Sequence, residues 1–262
     1  MKRTGPRGLA DLGLCMLVAA AWPAAIVSSQ TPRSGYTYLS EATRQLQDDD
    51  FANPGMLWVD KGLRLWTQAA GSAAQSCQSC HGQARESMRS VAARYPAYSP
   101  AIGHVINLEQ QINRCRVLRL KVSALSYESE DLLALTAFIS HQAKGLPMQV
   151  RIDGPAASSF ARGKTFFYRR RGQFNLSCAN CHEQHVGSRL HGELITQGQI
   201  NGFPIYRELW QTMGSTHRMF TWCNQAVRAE PYTPGSQIYV DLELFERWRG
   251  QSLPIEAPAV RR

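Results

Sequence analysis

A Cys-x-x-Cys-His pentapeptide narrows what a chain can be, and this one carries it twice, as Cys77-Gln78-Ser79-Cys80-His81 and Cys178-Ala179-Asn180-Cys181-His182. In such a segment two thiols a helical turn apart form thioethers with the vinyl groups of a haem, and the next residue offers imidazole to the iron. A zinc ribbon also pairs Cys-x-x-Cys units, but it does not require a histidine directly after each pair. Two covalently attached c-type haems and a redox role are therefore expected, with Cys77, Cys80 and His81 holding one and Cys178, Cys181 and His182 the other.

The beginning of the chain agrees with haem attachment outside the cytoplasm. Lys2, Arg3 and Arg7 precede an apolar run from Leu12 to Ala25 that contains Cys15, and the small residues Ser28 and Ser29 suit a cleavage site. Residues 1–30 read as a signal peptide and the destination as the periplasm. The run is broken by Pro23 and falls short of the roughly 20 apolar residues a membrane span needs, so no stable membrane anchor is expected. The formal charge is +9, and losing Lys2, Arg3, Arg7 and Asp11 lowers it by only two. Nucleic acid is not a target for an exported haem protein, so the basic balance points to a small anion or an acidic protein partner.

The remaining chain repeats itself. Gly62 lies fifteen residues before Cys77 and Gly163 fifteen before Cys178, each followed by an aromatic-bearing segment (Leu63 to Trp66, Lys164 to Phe167) that reads as a helix running to the haem turn. A further cysteine follows each motif, Cys115 after thirty-eight residues and Cys223 after forty-five. Each is followed in turn by a helical stretch: Glu130 to Ile139, with acids in its first turn where the helix dipole favours them, and Gln237 to Phe245. The plan of each unit is helix, haem turn, irregular middle, extra cysteine, helix. The expected fold is mainly α, two tandem class I-like cytochrome c domains with extensive loops. The N-terminal domain takes residues 31–150 and the C-terminal domain 151–250. The chain between them turns at Lys144-Gly145-Leu146-Pro147 and runs through a linker from Val150 to Ser158. Residues 251–262, with two prolines and Arg261-Arg262 at the end, read as a frayed tail.

Four of the six cysteines after residue 30 serve haem attachment, which leaves Cys115 and Cys223. In an oxidising compartment the default for such a pair is a disulfide. Equivalent positions in two folded units argue instead that each cysteine faces its own haem, as a thiolate ligand that stabilises ferric iron and lowers its potential. Met213 and Met219 are the conventional alternatives for a sixth ligand, and Met148, beyond the last helix of its unit, reads as packing. His104, His141, His185 and His191 read as surface or haem-edge residues. Around Cys223 lie His217, Arg218 and Arg228, a cluster able to bind a dianion. Cys115 has Arg114, Arg116 and Arg119, so local charge does not choose between the two sulfurs.

Several segments together resemble the SoxA family, the dihaem subunits of the SoxAX cytochrome complex of periplasmic thiosulfate oxidation. They are Asn53 to Gly62, Gly163 to Tyr168, Cys178 to Gly192 and His217 to Tyr232. The resemblance covers nearly all of the chain after residue 30. It implies that Cys115 ligates the first haem and Cys223 the second, that Cys223 is carried as a persulfide at the active site, and that Arg218 binds substrate there. It also implies a monohaem partner cytochrome, SoxX, forming a heterodimer, and a carrier, SoxY (in SoxYZ), whose cysteine receives thiosulfate while two electrons leave through haem. The activity would be that of an L-cysteine S-thiosulfotransferase. Where the family commonly has two adjacent arginines after the histidine, this chain has Arg218-Met219. A dihaem electron-transfer cytochrome with no sulfur chemistry is the competing reading, and it predicts indifference to replacing Cys223.

Overall fold

Two helices can cross with their backbones in contact only where one of them lacks a side chain, and the repeated glycines supply that gap twice. The computed structural model describes residues 1, 2, 5 and 31–262 apart from 73 and 191, so most of the expected signal peptide and His191 lie outside the described residues. The helices are α1 (Glu41–Asp48), α2 (Met56–Thr67), α3 (Cys77–His81), α4 (Ala84–Ser87), α5 (Leu108–Cys115), α6 (Glu130–His141), α7 (Ala157–Tyr168), α8 (Thr216–Ala226) and α9 (Gln237–Arg249). A Cβ on Gly62 would stand 2.2 Å from the Ala134 carbonyl oxygen, so α2 and α6 meet at that point. A Cβ on Gly163 would stand 1.9 Å from the Asp241 carbonyl oxygen, so α7 and α9 meet in the same way. The sequence repeat is thus a repeat of helix crossings.

Local chemistry starts and ends these helices where the sequence allows it. Ser129 caps α6 by accepting from the Leu132 N–H (3.4 Å), and Glu130 and Asp131 in its first turn both pair with Lys61 of α2, at 3.1 and 2.8 Å. The segment read as irregular between haem turn and extra cysteine is mostly loop and short strand in both halves, but it ends in a helix that carries the cysteine. Asn107 and Gln110 form a reciprocal capping box at the start of α5. Ser215 accepts from the His217 and Arg218 N–H groups at the start of α8. The extra cysteines therefore sit on helices, Cys115 as the last residue of α5 and Cys223 in the last turn of α8.

The fold is mainly α, with three small sheets. β1 (Ala97–Ser99) pairs with β2 (His104–Ile106), and β3 (Arg189–Leu190) with β4 (Glu193–Leu194), both antiparallel. β5 (Ile205–Arg207) lies between β6 (Thr212–Gly214), antiparallel, and β7 (Ala259–Arg261), parallel. β7 overturns the expectation of a frayed tail. Ile255, Ala257, Ala259 and Val260 are buried, and backbone bonds run from Gly145 N–H to Ile255, Ile255 N–H to Leu146 and Met148 N–H to Leu253. The physical reason is an alternation of apolar residues at 255, 257 and 259, the period of a strand, which outweighs the prolines at 254 and 258.

That segment ties the end of the first half to the sheet of the second. Val150 and Ala156 of the expected linker are also buried, against Val240 and Leu244 of α9 and Val105 of β2. Pro32–Arg262 accordingly form one compact unit. Met148 is fully buried in the core, as expected of a packing residue. Among the described residues no helix is long and apolar enough to cross a membrane.

Candidate functional site

Each motif histidine and its cysteines are positioned by short-range bonds. In the first copy, Ser76 and Ser79 close a capping box around α3, and the Trp66 indole N–H of α2 donates to the Gly82 carbonyl (3.3 Å) just past the motif. His81 is exposed with its ring centroid 5.7 Å from that of Trp66, Cys80 is exposed, and Cys77 is half-buried. Burial raises the Cys77 thiol, Arg116 opposes the rise and Cys115 adds to it, so α5 delivers Cys115 to the first motif. Gln111, one turn earlier in α5, donates to the Cys115 sulfur at 3.3 Å.

The second copy is enclosed. Cys178, Cys181, His182 and Cys223 are half-buried. His182 donates from Nδ1 to the Thr196 carbonyl oxygen at 2.8 Å, which leaves Nε2 for a metal. Burial lowers the pKa of the ring, favouring the neutral imidazole that a metal requires. Gly198, at φ +72°, comes so close that a Cβ there would be 2.8 Å from the imidazole Cγ. These residues fit a haem iron approached from the Nε2 side.

Cys223 completes this site. Burial pushes its thiol up to about 11, Cys181 and Glu246 push in the same direction, and Arg207 opposes them. Cys178 is pushed up strongly by burial, with Glu246 and Cys223 contributing. Glu246, on the buried face of α9, is itself raised to about 7 by burial despite its bond to Arg249 (2.8 Å). The structure thus gathers Cys178, Cys181, His182 and Cys223 in one place, and Cys77 and Cys115 in another. All six described cysteines are unbridged, so Cys115 and Cys223 are not joined to each other.

The basic cluster expected around Cys223 is not assembled as the sequence suggested. His217 is buried, accepts from the Gly235 N–H at Nδ1 (2.9 Å) and has Nε2 3.2 Å from Glu243, within a network that also includes Tyr127 and Asn107. Arg228 is exposed, bonds Gln173 and covers Phe174. Arg218 lies over Trp210, 4.4 Å from the ring centroid, with Nη1 3.4 Å from the Met213 carbonyl oxygen. The arginine whose charge acts on Cys223 is Arg207, brought from β5. Sequence proximity could not reveal it, because a strand sixteen residues away supplies it. Glu246 did leave a trace: Glu243 and Glu246 fall on the same face of α9 as Leu242 and Phe245, where apolar residues are expected. An open cavity of about 620 Å³ is lined by Thr221, Gln225 and the loop from Arg228 to Pro234, and by none of the motif residues.

Comparison with known proteins gives the chain its relatives. The family model described as SoxA/TsdA, cytochrome c domain, matches residues 61–148. The L-cysteine S-thiosulfotransferase subunit SoxA of Pseudaminobacter salicylatoxidans is 40% identical over 87% of this chain and 80% of its own length. The subunit of the same name from Rhodovulum sulfidophilum is 38% identical over the same shares, and that of Paracoccus pantotrophus 37% identical over 96% of this chain and 87% of its own. Among solved structures, SoxXA from P. pantotrophus superposes with a TM-score of 0.85 at 37% identity, covering 88% of this chain and 87% of that one. With paired Cys-x-x-Cys-His turns, an added cysteine at each, and relatives of this similarity over most of its length, the chain belongs to the SoxA family of c-type cytochrome L-cysteine S-thiosulfotransferase subunits.

Proposed function

We propose that this chain joins thiosulfate to a cysteine of a SoxY-type carrier protein in the periplasm, with Cys223 as the reacting sulfur, carried as a persulfide. In the overall reaction the sulfane sulfur of thiosulfate and the carrier thiolate form one sulfur–sulfur bond, and two electrons are released. The proposal includes two c-type haems, one per half of the chain (31–150 and 151–250). His81 with Cys115 and His182 with Cys223 are the proposed iron ligand pairs. A haem in the second site would supply an acceptor that takes electrons singly. The chain's own residues do the rest: His182 is held with Nε2 outward by Thr196, and Cys223 is shielded from bulk water. A SoxX-type monohaem cytochrome is the proposed partner, and residues 1–30 the export signal.

The observation that carries this reading is the placement of Cys223 against Cys178 and Cys181, since a sulfur able to hold a second sulfur lies beside the haem-attachment cysteines. A plain electron carrier ordinarily takes Met or His as its sixth iron ligand. The test is Cys223→Ala, expressed with haem attachment and assayed for carrier conjugation, together with the peptide-level mass of the parent before and after mild reduction. Loss of turnover with both haems retained, and a reducible extra sulfur on Cys223, are expected. Full activity in the variant removes the assignment and leaves the electron-transfer reading.

A further inference from the structure

Two arginines stand near the Trp210–Trp222 pair beside Cys223, and they differ in what their nitrogens have left to bind. Arg207 ends β5 with a side chain only 8% exposed. Its Nε donates to the Arg262 carbonyl (2.6 Å) and its Nη2 to both carboxylate oxygens of Glu193 (3.1 and 2.9 Å). Its Nη1 meets only the Met219 sulfur at 3.9 Å, a weak acceptor at long range. Met219 is one helical turn before Cys223 on α8, so both side chains fall on one face of that helix. The guanidinium carbon is 4.9 Å from the ring centroid of Trp222 and 5.3 Å from that of Trp210, and Trp222 is partly exposed.

This is a guanidinium clamped on two sides and stacked on indoles, whose remaining nitrogen, Nη1, faces the Met219 sulfur on the face of α8 that carries Cys223. A desolvated arginine held in this way recognises oxyanions well, because its fork is already oriented and its competing water is gone. Arg218 is held less firmly, since its side chain bonds only the Met213 carbonyl at 3.4 Å and no carboxylate orients its fork. We propose that Arg207 binds the oxyanion end of thiosulfate through Nη1 and so directs the sulfane sulfur towards Cys223. The proposal rests on the sulfur-transfer reading of the same site and names the residue that recognises its small substrate. Met219, a thioether where a charge could stand, leaves that nitrogen open.

The test separates binding from chemistry. In the haem-loaded Cys223→Ala protein with its partner cytochrome, thiosulfate binding is measured calorimetrically at low salt, with and without Arg207→Gln. A tenfold or larger loss of affinity is expected, while Arg170→Gln, which removes an exposed arginine bonded to Asn175, leaves affinity unchanged. With Cys223 present, Arg207→Gln should raise KM for thiosulfate by a similar factor and leave KM for the carrier unaltered. If Arg207→Gln fails to fold, Met219→Glu places a carboxylate against Nη1 without removing the arginine, and the same loss of affinity is expected. Unchanged thiosulfate binding in a folded, haem-loaded variant overturns the proposal. So does a change confined to haem spectrum or potential, which assigns Arg207 to a haem propionate instead. Failure of the sulfur-transfer reading itself would show separately, as turnover that survives Cys223→Ala.

Discussion

His182 is committed to one ring nitrogen by the protein alone. Thr196 holds Nδ1, and Gly198 fits under the ring only because it has no Cβ and tolerates φ +72°. Gly198→Ala would press a methyl to within 2.8 Å of the imidazole Cγ and strain the backbone as well. A loss of about 1–3 kcal/mol of stability is expected, with a larger loss of haem from the second motif than from the first. Haem content of each motif by peptide mass spectrometry, with chemical denaturation beside it, measures both. His81 has no such enclosure, so the first site should respond mainly to its sulfur. Cys115→Ala is expected to alter the spectrum of the first haem and spare much of the turnover. Loss of activity matching that of the Cys223 variant would mean that the roles are shared or reversed.

Among elements, the crossings of α2 with α6 and of α7 with α9 carry the architecture. Gly62 and Gly163 are legible in the sequence as a repeat offset, fifteen residues before each motif. Their reason is not legible, since it lies in carbonyls of α6 and α9, which come 72 and 78 residues later. Gly163→Ala should cost about 1–3 kcal/mol through forced separation of α7 and α9, and Gly62→Ala should do the same to α2 and α6. Thermal unfolding of the haem-loaded variants checks this, and no change in either would mean that the crossings relax without cost. The helices α5 and α8 escaped the sequence reading for a different reason. Both are short, eight and eleven residues, both are started by caps (Asn107 and Ser215), and both are polar on most of their surface, so no apolar run announces them.

At the scale of the whole molecule, α5, α8 and α9 are joined by a buried polar network. Asn107, which caps α5, donates to Glu243 of α9 (3.1 Å), and His217 in the first turn of α8 approaches the same carboxylate (3.2 Å). Glu109 in this network is raised to about 7 by burial and by Glu243. Its folded pKa lies above the unfolded value, so its contribution is fully present below about pH 4.5 and is lost as pH rises through 7. Glu109→Gln should therefore gain stability relative to the parent as pH goes from 5 to 8. Unfolding midpoints of the two proteins at both pH values decide this, and a constant gap would remove Glu109 as the titrating group. Deleting residues after Gly250 should likewise lower the unfolding midpoint, because β7 and the bonds to Gly145, Leu146 and Met148 are lost together.

The sequence by itself determined the chemistry and the repeat. Haem attachment needs its two thiols and imidazole within five consecutive residues, so it is written locally, and a repeated helix crossing recurs at a constant distance from it. Tertiary structure decided which charged groups meet Cys223. Arg207 reaches it from β5 and Glu246 from α9, while the nearby Arg228 turns away to Phe174. It also decided that the last residues add an edge strand to the sheet that carries Arg207, because strand pairing and burial depend on segments more than fifty residues apart, which no local pattern encodes.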